Sequence, residues 1–231
     1  MMKSIFLAGR VGIALALSSC ARVIPSIAPV GLESIDRSTV IAWVDEFRVE
    51  SNRLISIRPW RYVNERGTAA GRAMVRLVPP DSMRFDYRGP FGKSGGAVIF
   101  GTRAAWAHPE GDFDALIAVA PVFWAAVGHP PVPPFAATFR GMDTADLRVW
   151  QYEMGGDTLT FIAEGRPTAV LRGEVRRAGR TLAVSRVTFD PATRYPVTAQ
   201  VDFPQDPGRF TFEVQSVEVG AEFGRGVWNE P

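Results

Sequence analysis

Apolar and polar residues alternate with a period of two over most of this chain, the pattern of strands buried on one face. Met83, Phe85 and Tyr87 alternate with Arg84, Asp86 and Arg88. Ile55 and Ile57 alternate with Leu54, Ser56 and Arg58, which predicts a strand ending at Pro59. A further run covers residues 69–78 and stops at Pro79-Pro80, which cannot continue a ladder. Residues 97–100 and 103–107 predict a hairpin turning at Gly101-Thr102. Three more hairpins follow downstream. They join residues 147–154 to 158–163, 170–177 to 181–189, and 195–203 to 209–217. Val197, Ala199, Val201 and Phe203 are expected on one face, as are Phe210, Phe212 and Val214. The pattern predicts an antiparallel sheet with one wet face.

Two stretches break the alternation. Val40, Ile41, Val44 and Phe47 recur at helical spacing, which predicts a helix capped by Asp36 or Ser38 and running to Arg48. Residues 113–119, with Asp112 as N-cap, and residues 121–127, opened by Pro121 and ended by Gly128, predict a helical pair. Leu116, Val119, Val122, Phe123, Trp124 and Val127 make this pair apolar on most sides. Such a helix is buried or covers a cavity. The prolines of residues 129–134 make a stiff connector.

The start of the chain follows another rule. Lys3 and Arg10 precede a seven-residue apolar run, residues 11–17, and then Ser18-Ser19-Cys20. A basic start, an apolar stretch and small residues make a secretory signal peptide. Leu17-Ser18-Ser19-Cys20 resembles the bacterial lipobox. The resemblance implies that residues 1–19 are removed and that Cys20 is acylated as the mature first residue. Two or more acyl chains anchor stably, while seven apolar residues are far too few to span a bilayer. With Ala21 and not Asp after the Cys, the same resemblance implies the outer membrane, with the domain facing the periplasm. Residues 20–35, with Pro25, Pro29 and Gly31, read as a lipidated tether, and residues 36–231 as a single domain.

Composition narrows the chemistry. Cys20 is the only Cys, so an acylated chain has no thiol for a disulfide or a metal. Loss of Lys3 and Arg10 from 26 basic residues leaves 24, equal to the 24 acidic ones, so charge makes no case for nucleic acid. His108 and His129 each precede a Pro and lack metal-ligand spacing. Residues 92–96 lack the phosphate-loop form and a following helix. No Ser is expected where a strand meets a helix, as a nucleophile elbow requires. The sequence therefore predicts no catalytic centre and no cofactor. Arg172, Arg176, Arg177 and Arg180 gather at one strand end and turn, as a solvated face or a contact for anionic headgroups.

The stretch Val78-Pro79-Pro80-Asp81-Ser82-Met83-Arg84-Phe85-Asp86-Tyr87-Arg88-Gly89-Pro90-Phe91-Gly92 is similar to a strand-and-turn motif of the LolA/LolB-type lipoprotein carriers and receptors. With the order of elements, the resemblance covers roughly residues 36–220. It implies a mainly β, α+β fold: an incomplete antiparallel β-barrel with helices closing the concave face. It implies acyl chains or lipoproteins as cargo. The receptors' protruding apolar loop would fall near residues 92–96, where Lys93-Ser94-Gly95-Gly96 is not an apolar finger. The candidate lining of an apolar cavity is Met74, Met83, Phe85, Tyr87, Ile99, Trp106, Phe123, Trp124, Trp150, Phe161, Val187 and Phe212. The same side chains could simply fill a core. In that case the expectation is an assembly lipoprotein that binds a protein partner.

Overall fold

In the computed structural model, which describes residues 25–109, 111 and 113–230, the alternating runs form one antiparallel sheet. The predicted leader, Cys20 and the Asp112 cap lie outside the described residues. The first elements are β1 (Glu33–Ser34), α1 (Arg37–Asp45), β2 (Arg53–Asn64), β3 (Gly67–Val78), β4 (Ser82–Arg88), β5 (Ser94–Phe100) and β6 (Arg103–His108). The helices α2 (Asp114–Ile117) and α3 (Ala120–Ala126) stand in the middle. After them come β7 (Phe139–Asp143), β8 (Leu147–Met154), β9 (Asp157–Glu164), β10 (Val170–Arg177), β11 (Arg180–Phe189), β12 (Pro196–Phe203) and β13 (Gly208–Val219).

The meander β7 to β13 joins the meander β2 to β6 through the β13–β2 pair, which makes one sheet of 13 strands among the described residues. Its edges, β1 and β6, do not meet, so the barrel is incomplete. The hairpins fall where the turn residues predict. The turns after β2, β4, β8, β10 and β12 share one end of the sheet, because each strand reverses the one before it.

Several local expectations are corrected. Pro59 does not end β2. The register jumps from Ile57–Ala73 to Trp60–Gly71, so Arg58 and Pro59 leave the ladder as a bulge and the strand resumes. Val197 does not share the buried face: Phe189 pairs with Pro196 and Thr188 with Thr198, and Val197 is turned outward at 41% exposure. Gly95 and Gly96 belong to β5 and not to the turn before it. The short strands β1 and β7 carried no clear alternation and were not foreseen. The first helix is shorter than predicted, and Asp36 occupies its N-cap position without a side-chain hydrogen bond.

The inner face of the sheet is covered by the helices. Trp43 and Phe47, on and just after α1, reach Trp150 at ring distances of 6.3 and 6.4 Å. Buried Arg148 of β8 fixes the end of α1 by a paired contact with Glu46. All seven residues of α3 are buried where it packs on β10, β11 and β12.

The outer face is covered in patches by residues 26–32 and 225–228. Ser26 Oγ donates to Glu174 Oε2 at 2.5 Å, and Leu32 packs on Val149 and Ile162. At the other flank a 3-10 turn, Arg225–Trp228, lies over β4 to β6, where Trp106 Nε1 donates to Trp228 O at 2.9 Å. The described part of the predicted tether is therefore docked on the domain.

Candidate functional site

The candidate site is the interface between α3 and the inner face of the sheet. Period-two alternation delivers its side chains: Met83 and Phe85 from β4, Ile99 from β5, Trp150 from β8, Phe161 from β9, Val187 from β11 and Phe212 from β13. All of these are buried, together with Phe123 and Trp124 of α3, and Tyr87 packs at the border of the same cluster. The rings touch one another. Phe85 lies 5.6 Å from Phe123 and 5.9 Å from Phe113, Phe123 lies 6.3 Å from Phe210, and Trp150 stacks on Phe161 at 5.5 Å.

Two candidates are elsewhere. Met74 is 40% exposed on the outer face, because Ala73, Val75 and Leu77 are the inward residues of β3. Trp106 also lies on the outer face. Val98 pairs with Trp106 but Ile99 pairs with Ala104, so Ala105 is an extra residue that shifts the parity of β6. The Arg84 guanidinium stands 4.9 Å over the Trp106 ring, beneath the C-terminal segment. Trp43, Trp60, Phe113 and Phe210 belong to the buried cluster and were not among the candidates. Phe210 was legible from its alternation with Phe212, while Trp60 sits beyond the Pro59 bulge that obscured its strand.

The helix α3 is short and held near its C-terminal end. Pro121 opens it, and no side chain caps its start. Trp124 Nε1 donates to Gly101 O at 2.6 Å. Gly128, at φ +80, lets the chain reverse out of the helix. His129 then lies 3.3 Å from both Phe47 O and Pro80 O. Burial pushes its pKa below the usual histidine value, against the pull of these two carbonyls.

The interior is not uniformly apolar. Trp150 Nε1, Tyr152 Oη and Ser185 Oγ are buried with no hydrogen-bond partner among the described residues. Trp150, Phe161, Gly173 and Ser185 lie in one register row across β8, β9, β10 and β11. Burial alone pushes the Tyr152 hydroxyl pKa well up, so it stays a neutral donor. Buried polar atoms are nearly always paired in folded proteins, which sets these three apart from the apolar side chains around them.

Outside the interior, the turn between β4 and β5 presents Phe91 at full exposure with φ +57. Backbone bonds from Gly89 N to Lys93 O, 2.8 Å, and Lys93 N to Pro90 O, 3.2 Å, pin the turn. A large residue held in the left-handed region is uncommon and is over-represented at functional sites. This exposed apolar side chain lies one residue upstream of residues 92–96. Gly92-Lys93-Ser94-Gly95-Gly96 does have Gly-x-Ser-x-Gly spacing, but Ser94 opens strand β5 in solvent and no helix follows it. Among the described residues no three His, Cys, Asp or Glu cluster as metal ligands, and no helix is long and apolar enough to cross a membrane. Two open grooves, of about 440 and 340 Å³, lie on the outer face near Arg61, Arg186 and Gln200, and beside β1 near Glu33, Trp43 and Met142.

No family profile and no curated protein matches the sequence significantly. Solved structures do match. The chain is similar to a LolA superfamily protein from Nitrosomonas europaea at 9% identity and a TM-score of 0.59, covering 85% of this chain and 98% of the other. It is also similar to an outer-membrane lipoprotein-sorting protein domain from Vibrio parahaemolyticus at 12% identity and a TM-score of 0.54, covering 84% and 97%. The fold is LolA-like.

Proposed function

We propose that this chain is a lipid-anchored envelope protein, not an enzyme, that shelters acyl chains between α3 and the sheet. Acylated Cys20 would hold it at the outer membrane, with its domain in the periplasm. The observation that carries the reading is the lid. A seven-residue helix buried on every side has one side-chain hydrogen bond, from Trp124 to Gly101 of the β5–β6 turn, over a face of large apolar side chains. Swinging the lid away would open that face to a greasy chain. The unpartnered Trp150, Tyr152 and Ser185 groups would then meet the ester or carboxyl oxygens of the cargo. Exposed Phe91 supplies the apolar tip that a receptor of this fold needs. The two similar structures, one of them named for lipoprotein sorting, support the same reading.

A second reading rests on the ring contacts. Phe85, Phe113, Phe123 and Phe210 already fill the space beneath the lid, as an assembly lipoprotein that binds a protein partner would require. A fluorescent fatty-acid titration of the chain purified in mild detergent separates the two. Saturable binding, displaced by unlabelled fatty acid and accompanied by co-purifying lipid in native mass spectrometry, supports the carrier. No binding up to the solubility limit supports the second reading.

A further inference from the structure

The end of the sheet that carries the turns after β4 and β10 has three features that the acyl-binding reading does not use. The first is where the chain enters. Ser26 and the amide of Ile27 are clamped on Glu174 of β10, whose other oxygen accepts from Thr181 beside the β10–β11 turn. From there the described chain runs away from that turn, toward Ile162 and Leu147. Six residue steps from Cys20 to Ser26 reach at most about 20 Å. An anchor at Cys20 thus keeps the membrane within that distance of the clamp on Glu174.

The second feature is charge. Arg176 and Arg180 have no carboxylate partner among the described residues; Arg176 donates to Gly179 O and Arg177 is already paired with Asp157. The third is Phe91, fully exposed in the turn after β4 at the same end, with Lys93 beside it.

We propose that this end docks on the anionic phospholipid surface, with Arg176 and Arg180 on the headgroups and the turn at Phe91 facing the bilayer. The clamp on Glu174 keeps the leash short, and Arg176, Arg180 and Phe91 select the face. The proposal rests on the lipidation of Cys20 and goes beyond it, since a lipidated chain on a long free leash would have no preferred face.

Lys93 is the only Lys after the leader, so it offers one amine for a fluorophore. The full chain, purified from membranes, is labelled there and reconstituted into phosphatidylcholine vesicles with phosphatidylglycerol and a headgroup spin-labelled lipid. Lys93→Arg gives the blank. Lys93→Arg with Arg103→Lys moves the label to the β5–β6 turn at the opposite end. The expected result is strong quenching from Lys93 and weak quenching from residue 103. Arg176→Gln with Arg180→Gln lowers the docked-to-undocked ratio about thirtyfold, and omission of phosphatidylglycerol has the same direction. The mass of the purified chain is read first. A chain without acyl groups overturns both the anchor and the docking. An acylated chain quenched equally from both ends, or indifferent to phosphatidylglycerol, overturns the docking alone.

Discussion

On the inner face, α1 and α3 cover a continuous apolar surface; on the outer face, two terminal segments cover two separate patches. The coverings differ in kind. α3 contributes seven consecutive buried residues, so its attachment is apolar area in bulk. The outer patches are each held by a few directional contacts: Ser26 and Ile27 on Glu174 at one flank, Trp106 and Arg84 on the 3-10 turn at the other. A bulk apolar contact can slide or swing and remain favourable, whereas a directional one fixes position. The inner covering therefore suits a lid over an adaptable ligand, and the outer coverings suit a chain that must leave the domain at a defined place.

The largest test of this contrast is on the inner face. Trp124 is 3% exposed and its indole both fills the interface and ties α3 to Gly101. Trp124→Ala is expected to cost roughly 3–5 kcal/mol in urea unfolding, because it leaves a large void. If the cost is below about 1 kcal/mol, the lid is not the bulk apolar element described here.

The outer N-terminal patch should respond more weakly and more locally. Ser26→Ala removes one hydrogen bond from a fully buried carboxylate that still has Thr181 and the Ile27 amide. The expected loss is about 1–3 kcal/mol. Hydrogen exchange should rise in residues 26–34 while the amides of β10 and β11 stay protected. Exchange that rises through the whole sheet would show that the strap is part of the global core.

The two faces were not equally legible in the sequence. The inner face follows the period-two rule, and most of its side chains could be placed from alternation alone, from Met83 and Phe85 to Phe212. Two of the failures occur at bulges. One extra residue at Ala105 turned Trp106 outward, and the irregularity at Arg58-Pro59 hid Trp60. Met74 lies outside any bulge, and its parity with buried Val75 alone turns it outward. The outer coverings were nearly invisible. Ile27, Leu32, Phe223 and Trp228 are isolated apolar residues among prolines, glycines and charges, which is also how a linker reads. Phe91 was missed because its role depends on a positive φ in a turn, which alternation does not encode.

The C-terminal patch tests the same point at lower cost. Trp228 is half-buried over Phe100, at a ring distance of 6.3 Å, and its carbonyl accepts from Trp106. Trp228→Ala is expected to cost about 1 kcal/mol, well below full burial of an aromatic side chain. Trp106 should become solvated, which a red shift in emission would report. An unchanged spectrum would mean that the C-terminal segment does not shield this face.

The smallest effect concerns the hinge of the lid and depends on pH. His129 follows α3 directly, and burial holds its pKa below the ordinary 6.5, with Arg53 and Arg48 adding repulsion in the same direction. The unfolded chain therefore binds the proton more readily than the folded one. Above the ordinary value both states are neutral and the group contributes nothing to the pH dependence. As pH falls below about 6.5, the unfolded state takes up its proton first, and stability drops until the folded-state pKa is passed. The loss should appear at the lid before the rest of the sheet, since the two carbonyls that hold His129 belong to Phe47 and Pro80, on the α1–β2 and β3–β4 connections. Urea midpoints between pH 7.5 and 5 should fall for the wild type and fall less for His129→Gln. A fluorescent fatty acid should also exchange faster at the acid end in the wild type. If the variant shows the same pH slope as the wild type, the titration lies elsewhere and the lid is not held by its histidine.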